Sequence, residues 1–175
     1  TVTSACSPLV FDGSGLTPEH VGNAFFCEPA QNLVQRQVLQ PAGASFRSTT
    51  PYTGREFLAS SDSGFRPVFL GHGADMYRTE IDHPQYVPEE ARPRMDFTGG
   101  KGAGRIYRVT GERWRAPAPM PSESAALVRE LESADAWRRE TAQRLLVERG
   151  DDSVVPALER IAAQALLAAS RIRAL

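Results

Sequence analysis

The sequence predicts a mixed chain, antiparallel β-structure first and α-helix after it. Three observations carry this. Over residues 1–112, short apolar runs split by Gly, Pro, Asn, Asp and Ser recur about every ten residues, the rhythm of short strands and turns. Residues 113–121 read "RWRAPAPMP", and alternating prolines favour an extended linker. From 122 to 175 the apolar residues return every three to four positions, the period of a helix.

The β part begins with "SACSPLVF" (4–11) as one strand, "NAFFCEP" (23–29) as a second and "NLVQRQVL" (32–39) as a third. Either "SFRSTT" (45–50) or "REFLAS" (55–60) is expected to lie outside them. "LTPEHVG" (16–22) interrupts with a helical turn. "FRPVF" (65–69) opens a new group, and "RIYRV" (105–109) is a further strand. Between them "HPQYVPEEARPRM" (83–95) is polar and Pro-rich, so it reads as a loop with one helical turn. "TGGKGAG" (98–104) lacks the spacing of a phosphate-binding loop and precedes a strand, so it reads as a turn.

In the helical part, "SESAALVRELES" puts Leu127, Val128 and Leu131 on one face. "DAWRRETAQRLLVERG" has Asp135 as N-cap and Gly150 as stop, with Trp137, Thr141, Ala142, Leu145 and Leu146 facing the core. A third helix starts at a Ser153 cap, takes Pro156 in its first turn, and carries a stripe of Leu158, Ile161, Ala162, Ala165, Leu166 and Ala169. Three helices with short connections look like the start of a stacked array of helical hairpins.

Hydrophobic residues make up 41% of the 175, enough for a core. A net charge of −1 gives no electrostatic reason to bind nucleic acid or an anionic membrane. Lys101 is the only lysine among the basic residues, and no arginine cluster recurs at a site-like spacing. There is no signal peptide and no apolar run of membrane-spanning length. Thr1 lies in strand-like sequence and Leu175 in a helical pattern, so both ends read as cuts through something larger. Cys6 and Cys27 each sit in a strand-like segment. A disulfide between them and two buried free thiols are both open readings.

The ordered series "SACSPLVF…GNAFFCEPAQNLVQRQVL…REFLASSDSGFRPV…DMYRTEIDHPQYVPEE…GKGAGRIYRV" resembles the last blades of the membrane-bound dehydrogenase family of Planctomycetes and Verrucomicrobia. Those proteins are six-bladed β-propellers related to quinoprotein glucose and sorbosone dehydrogenases. The tail "WRRETAQRLLVERGDDSVVPAL" is similar to the HEAT-like repeats that follow the propeller there. The resemblance implies a partial propeller over 1–112, a linker over 113–121 and a HEAT-like, armadillo-like segment over 122–175. It also implies an extracytoplasmic parent that oxidises sugars or other alcohols with pyrroloquinoline quinone and calcium. Such repeats can also offer a surface to a protein partner. The family often continues into a c-type haem domain, but no Cys-x-x-Cys-His occurs here, so no haem is expected. The blades that hold the catalytic His in quinoprotein dehydrogenases are also missing, so this chain alone is expected to be inactive. A non-catalytic propeller and repeat module, or a degraded gene product, are the alternative readings.

By resemblance, Arg66 matches the inner-strand arginine that faces the quinone carboxylates; its bland alternative is an ion pair with Asp62 or Asp75. Asp75 and Tyr77 of "DMYR" would lie near the mouth of the propeller as substrate-facing residues, or else form a corner held by hydrogen bonds. Family members read roughly "FRPVNFANGPDGALYVVDMYR", whereas this chain reads "FRPVFLGHGADMYR", shorter by about seven residues. The expectation is a strand joined directly to the corner beyond its lost partner. Gln35 stands where the family usually has His. His72, Asp75 and His83 are ligand types for a metal, but their spacing fits no compact motif, so no metal is expected. Glu28 is a candidate to orient a substrate hydroxyl, with turn N–H groups as its more ordinary partners, and Asn32 reads the same way.

Overall fold

The computed structural model of the chain describes residues 4–62, 64–71, 75–78, 89–90, 92–94, 96–98, 102, 104, 106–112 and 114–175. Of residues 69, 75–78 and 94 it describes the backbone. The chain splits into two compact units, Thr1–Phe11 with Gly15–Glu112 and Asp12–Ser14 with Arg113–Leu175.

The first unit holds two open antiparallel sheets. β1 (Cys6–Val10), β2 (Ala24–Glu28), β3 (Leu33–Ala42) and β4 (Ser45–Thr49) lie in that order, and β5 (Leu58–Ala59) also pairs with β3. Turn chemistry sets the meander. Between β1 and β2 a 3-10 turn at Pro18–His20 is followed by Gly22, whose φ of 76° suits a residue without a Cβ. Between β2 and β3 a second turn, Pro29–Gln31, ends on Asn32 with φ 57°, the left-handed region that Asn tolerates better than most residues. β3 takes its two outer partners in succession: β5 opposite Leu33 and Val34, then β4 opposite Val38 to Ala42. Both candidates for the outer strand are therefore used, each along a different part of β3.

The second sheet is β6 (Pro67–Leu70), β7 (Asp75–Arg78) and β8 (Ile106–Arg108). "DMYR", expected as a corner, is instead its middle strand. β7 pairs with β6 through Pro67↔Arg78, Phe69↔Tyr77 and Leu70↔Met76, and with β8 through Asp75↔Arg108 and Tyr77↔Ile106. Residues 71–74 are enough to join β6 to β7, a common hairpin length. The core of this unit is Phe11, Phe25, Cys27, Val34, Phe65 and Leu70. Its aromatic rings meet edge-on, Phe11 with Phe25 at 6.2 Å and Phe25 with Phe57 at 4.9 Å.

The second unit holds α1 (Ser124–Glu130), α2 (Ala136–Arg149), α3 (Val155–Gln164) and α4 (Ala168–Arg173). Leu127, Val128 and Leu131 are buried as their spacing predicts. Asp135 caps α2 by accepting from the amides of Trp137 and Arg138, and Gly150 ends it at φ 58°. Three expectations differ. Trp137 is 43% exposed, because the buried face of α2 runs through Ala136, Arg139, Ala142 and Leu146, one position round the helix. Ser153 is not a helix cap; Asp151 accepts from its amide and hydroxyl ahead of α3. The single third helix is two, because the backbone of Ala165 turns extended and leaves Leu166 98% exposed, outside the expected stripe.

Candidate functional site

The site candidates gather where β6 packs against β1 and β2. The entry to β6 is fixed locally. Asp62 accepts the Gly64 amide on its side chain at 2.8 Å and the Phe65 amide on its carbonyl at 2.9 Å. Phe65 then buries its ring against Tyr107 of β8, with centroids 5.8 Å apart. The next residue, Arg66, is drawn in with it and is 4% exposed. Among the described residues Arg66 makes no hydrogen bond or ion pair, so it is not paired with Asp62; the side chain of Asp75, the other partner expected of it, lies outside the described residues. A buried guanidinium is normally paired, because desolvating an uncompensated charge costs several kcal/mol.

β1 is shaped to hold β6. Its register shifts between Cys6 and Leu9, and inside that bulge Ser7 has φ 49°, an uncommon value for a residue with a side chain. The bulge aims the Ser7 hydroxyl at β6, where it accepts the Leu70 amide at 2.9 Å. Beside it the Cys6 thiol donates to the Val68 carbonyl at 3.4 Å.

On β2, Glu28 is fully buried and its carboxylate accepts from the Ser4 amide at 2.9 and 3.1 Å and from the Ser4 hydroxyl at 2.6 Å. The same hydroxyl accepts the Ala30 amide at 3.2 Å. Glu28 therefore ties the chain before β1 to β2, accepting from Ser4 24 residues away rather than from the amides of its own turn. Burial pushes the Cys6 thiol up, and the Glu28 charge adds to this. Burial, then Cys6, pushes the Cys27 thiol up to about 12. Both are held protonated at neutral pH, which slows their reactions.

A second charged group was not singled out by the sequence reading. Arg36 of β3 is buried, and it donates to the Asn23 side chain at 3.0 Å, the Tyr52 hydroxyl at 3.1 Å and the Glu19 carbonyl at 2.8 Å. Burial, then Arg36, holds the His20 imidazole below its usual range. Beside this network, Gln35, Gln37, Tyr52, Arg55 and Glu56 line a polar cleft of about 370 Å³, in which Gln35 donates to Glu56 at 3.1 Å. The one sequence signal nearby is Gln35, where the resembled family has His.

Of the predicted site residues, Arg66, Cys6, Cys27 and Glu28 lie on the packed strands β1, β2 and β6 or at their ends. Asp75 and Tyr77 occupy β7, the ladder neighbour of β6. His72 and His83 lie outside the described residues. Among the described residues no group of three or more His, Cys, Asp or Glu could hold a metal ion, and no helix is long and apolar enough to cross a membrane.

Residues 1–113 match a family described as a domain of unknown function, DUF7133. No curated protein and no solved structure matches the chain.

Proposed function

We propose that this chain, which belongs to the DUF7133 family, supplies one wall of an oxidoreductase that oxidises sugars or other alcohols with a quinone. The observation that supports this is Arg66, a residue 4% exposed that makes no hydrogen bond or ion pair to the described residues. Such a group matches a planar carboxylate, which it pairs in a bidentate way. Pyrroloquinoline quinone carries carboxylates of that kind. When bound, the quinone accepts hydride from the alcohol carbon. Arg66 would hold and orient it, and Asp75 and Tyr77 are the candidates to face the substrate. The base that takes the hydroxyl proton lies outside this chain, so the chain alone is not active. On this reading the two sheets are the last blades of a six-bladed propeller, the helical unit is HEAT-like, and the parent is extracytoplasmic.

The test is to reconstitute the full-length parent with pyrroloquinoline quinone and calcium and to follow dye-linked oxidation of aldoses. Turnover that Arg66→Met abolishes is the expected result. A parent that binds no quinone and oxidises no alcohol overturns the proposal. The second reading is a binding module without chemistry. The polar cleft beside β3 favours it, because its amide, phenol, guanidinium and carboxylate groups suit a small polar ligand. Quinone binding without turnover in the same assay would select it.

A further inference from the structure

Cys6 and Cys27 are directly opposed in the β1–β2 ladder, and both are free thiols. Opposed residues of an antiparallel pair have Cα atoms about 4.5–5.5 Å apart. A disulfide spans about 4.4–6.8 Å between Cα atoms, so the register satisfies its first requirement. Cys6 is half-buried and reachable, whereas Cys27 is 0% exposed and sits behind it. The Cys6 thiol has a second commitment, its bond to the Val68 carbonyl of β6, two positions beyond Arg66.

We infer that Cys6 and Cys27 are a redox pair, closed by a small-molecule disulfide such as oxidised glutathione, and that closing it releases β6 from Cys6. The exchange balances. The Cys6 thiolate attacks the oxidant, forming a mixed disulfide, and one glutathione thiol leaves. Cys27 then attacks the Cys6 sulfur, the protein disulfide forms, and the second glutathione thiol leaves. Two electrons pass from the cysteines to the oxidant, and the two cysteine protons end on the departing thiols. Because burial holds both thiols protonated, the exchange is slow at neutral pH and quickens as pH rises.

The reduced and oxidised forms tie β1 to different neighbours. Reduced, Cys6 donates its S–H to β6. Oxidised, it has no proton to donate and is bonded to β2, while Ser7 keeps the Leu70 amide. Oxidation therefore tightens the first sheet and loosens the strand that follows Arg66. This inference is independent of which ligand Arg66 holds.

The test uses the full chain with oxidised glutathione at mildly alkaline pH. Cleavage at Glu19 leaves Cys6 and Cys27 on separate pieces, so mass spectrometry reads the bond directly. The expected results are an intrachain Cys6–Cys27 link, a thermal midpoint raised by roughly 10 °C, and faster amide exchange in β6. Cys6→Ser, whose hydroxyl can still donate to Val68, should form no link and keep β6 exchange slow under the oxidant. A folded chain that stops at a glutathione adduct on Cys6 overturns the pair. A link that lowers the midpoint, or leaves β6 exchange unchanged, overturns the switch.

Discussion

The helical unit fills its interior with Leu127, Val128, Leu131, Ala142, Leu146, Val154, Ile161 and Ala165. The β unit buries six apolar residues in its core cluster and, alongside them, Asn23, Glu28, Arg36 and Arg66. The helical unit also buries a charge, but Arg139 is paired with Asp12 and donates to the Ser133 carbonyl at 2.7 Å. The difference separates two uses of a buried cation. Arg139 and Arg36 are spent on the fold, each with recorded partners that hold distant segments together. Arg66 is equally buried and has no such partner among the described residues. Burial by itself therefore does not mark a residue as structural or functional, and neither does one idle donor, since the Nε of Arg139 is itself buried without a partner.

The largest expected effect lies in the helical interior. Leu127 is 0% exposed, so Leu127→Ala should lower the stability of the helical unit by about 3 kcal/mol, read from urea titration of helix content. A loss under about 1 kcal/mol would mean that this interior is far looser than its burial implies. Next comes Arg36→Met, which leaves the buried Asn23 side chain without its donor. It should cost about 2 kcal/mol of the stability of the β unit, read from urea titration of its β-sheet signal. The smallest concerns acid. Arg138 donates to both oxygens of Glu130, at 2.6 and 2.7 Å, and holds its carboxyl below the usual carboxylate range. A depressed carboxyl stabilises the fold above its unfolded pKa. That contribution is lost as pH falls through the folded value, so stability should decline below about pH 4.5. Glu130→Gln should flatten that decline by under about 1 kcal/mol, because the pair is partly solvated.

How far the sequence could be read follows the range of the interactions. The face of Leu127, Val128 and Leu131, the Asp135 cap and the Gly150 stop all depend on residues within four positions, and all were legible. The break at Ala165 has no Gly or Pro to announce it. The strands of the first sheet were legible as apolar runs, and the use of both "SFRST" and "LA" against β3 was not. The Arg36 network joins residues 13 to 17 positions apart, and no local pattern points to it. "DMYR" is a strand because β8, nearly thirty residues later, pairs with its far side, and no local pattern announces that pairing. Cys6 and Cys27 were readable as strand residues, but only the register shows them opposed.

On the function proposed above, Arg66 is buried for a ligand rather than for the fold. Arg66→Met tests it most directly, because Met keeps the apolar stem and removes the charge. Compared in one thermal series with the unaltered chain and with Arg36→Met, Arg66→Met should leave the midpoint unchanged or raise it, since none of the described residues pairs with Arg66 and an uncompensated buried charge opposes folding. A fall as large as that of Arg36→Met would show that Arg66 holds the structure together and would contradict the claim.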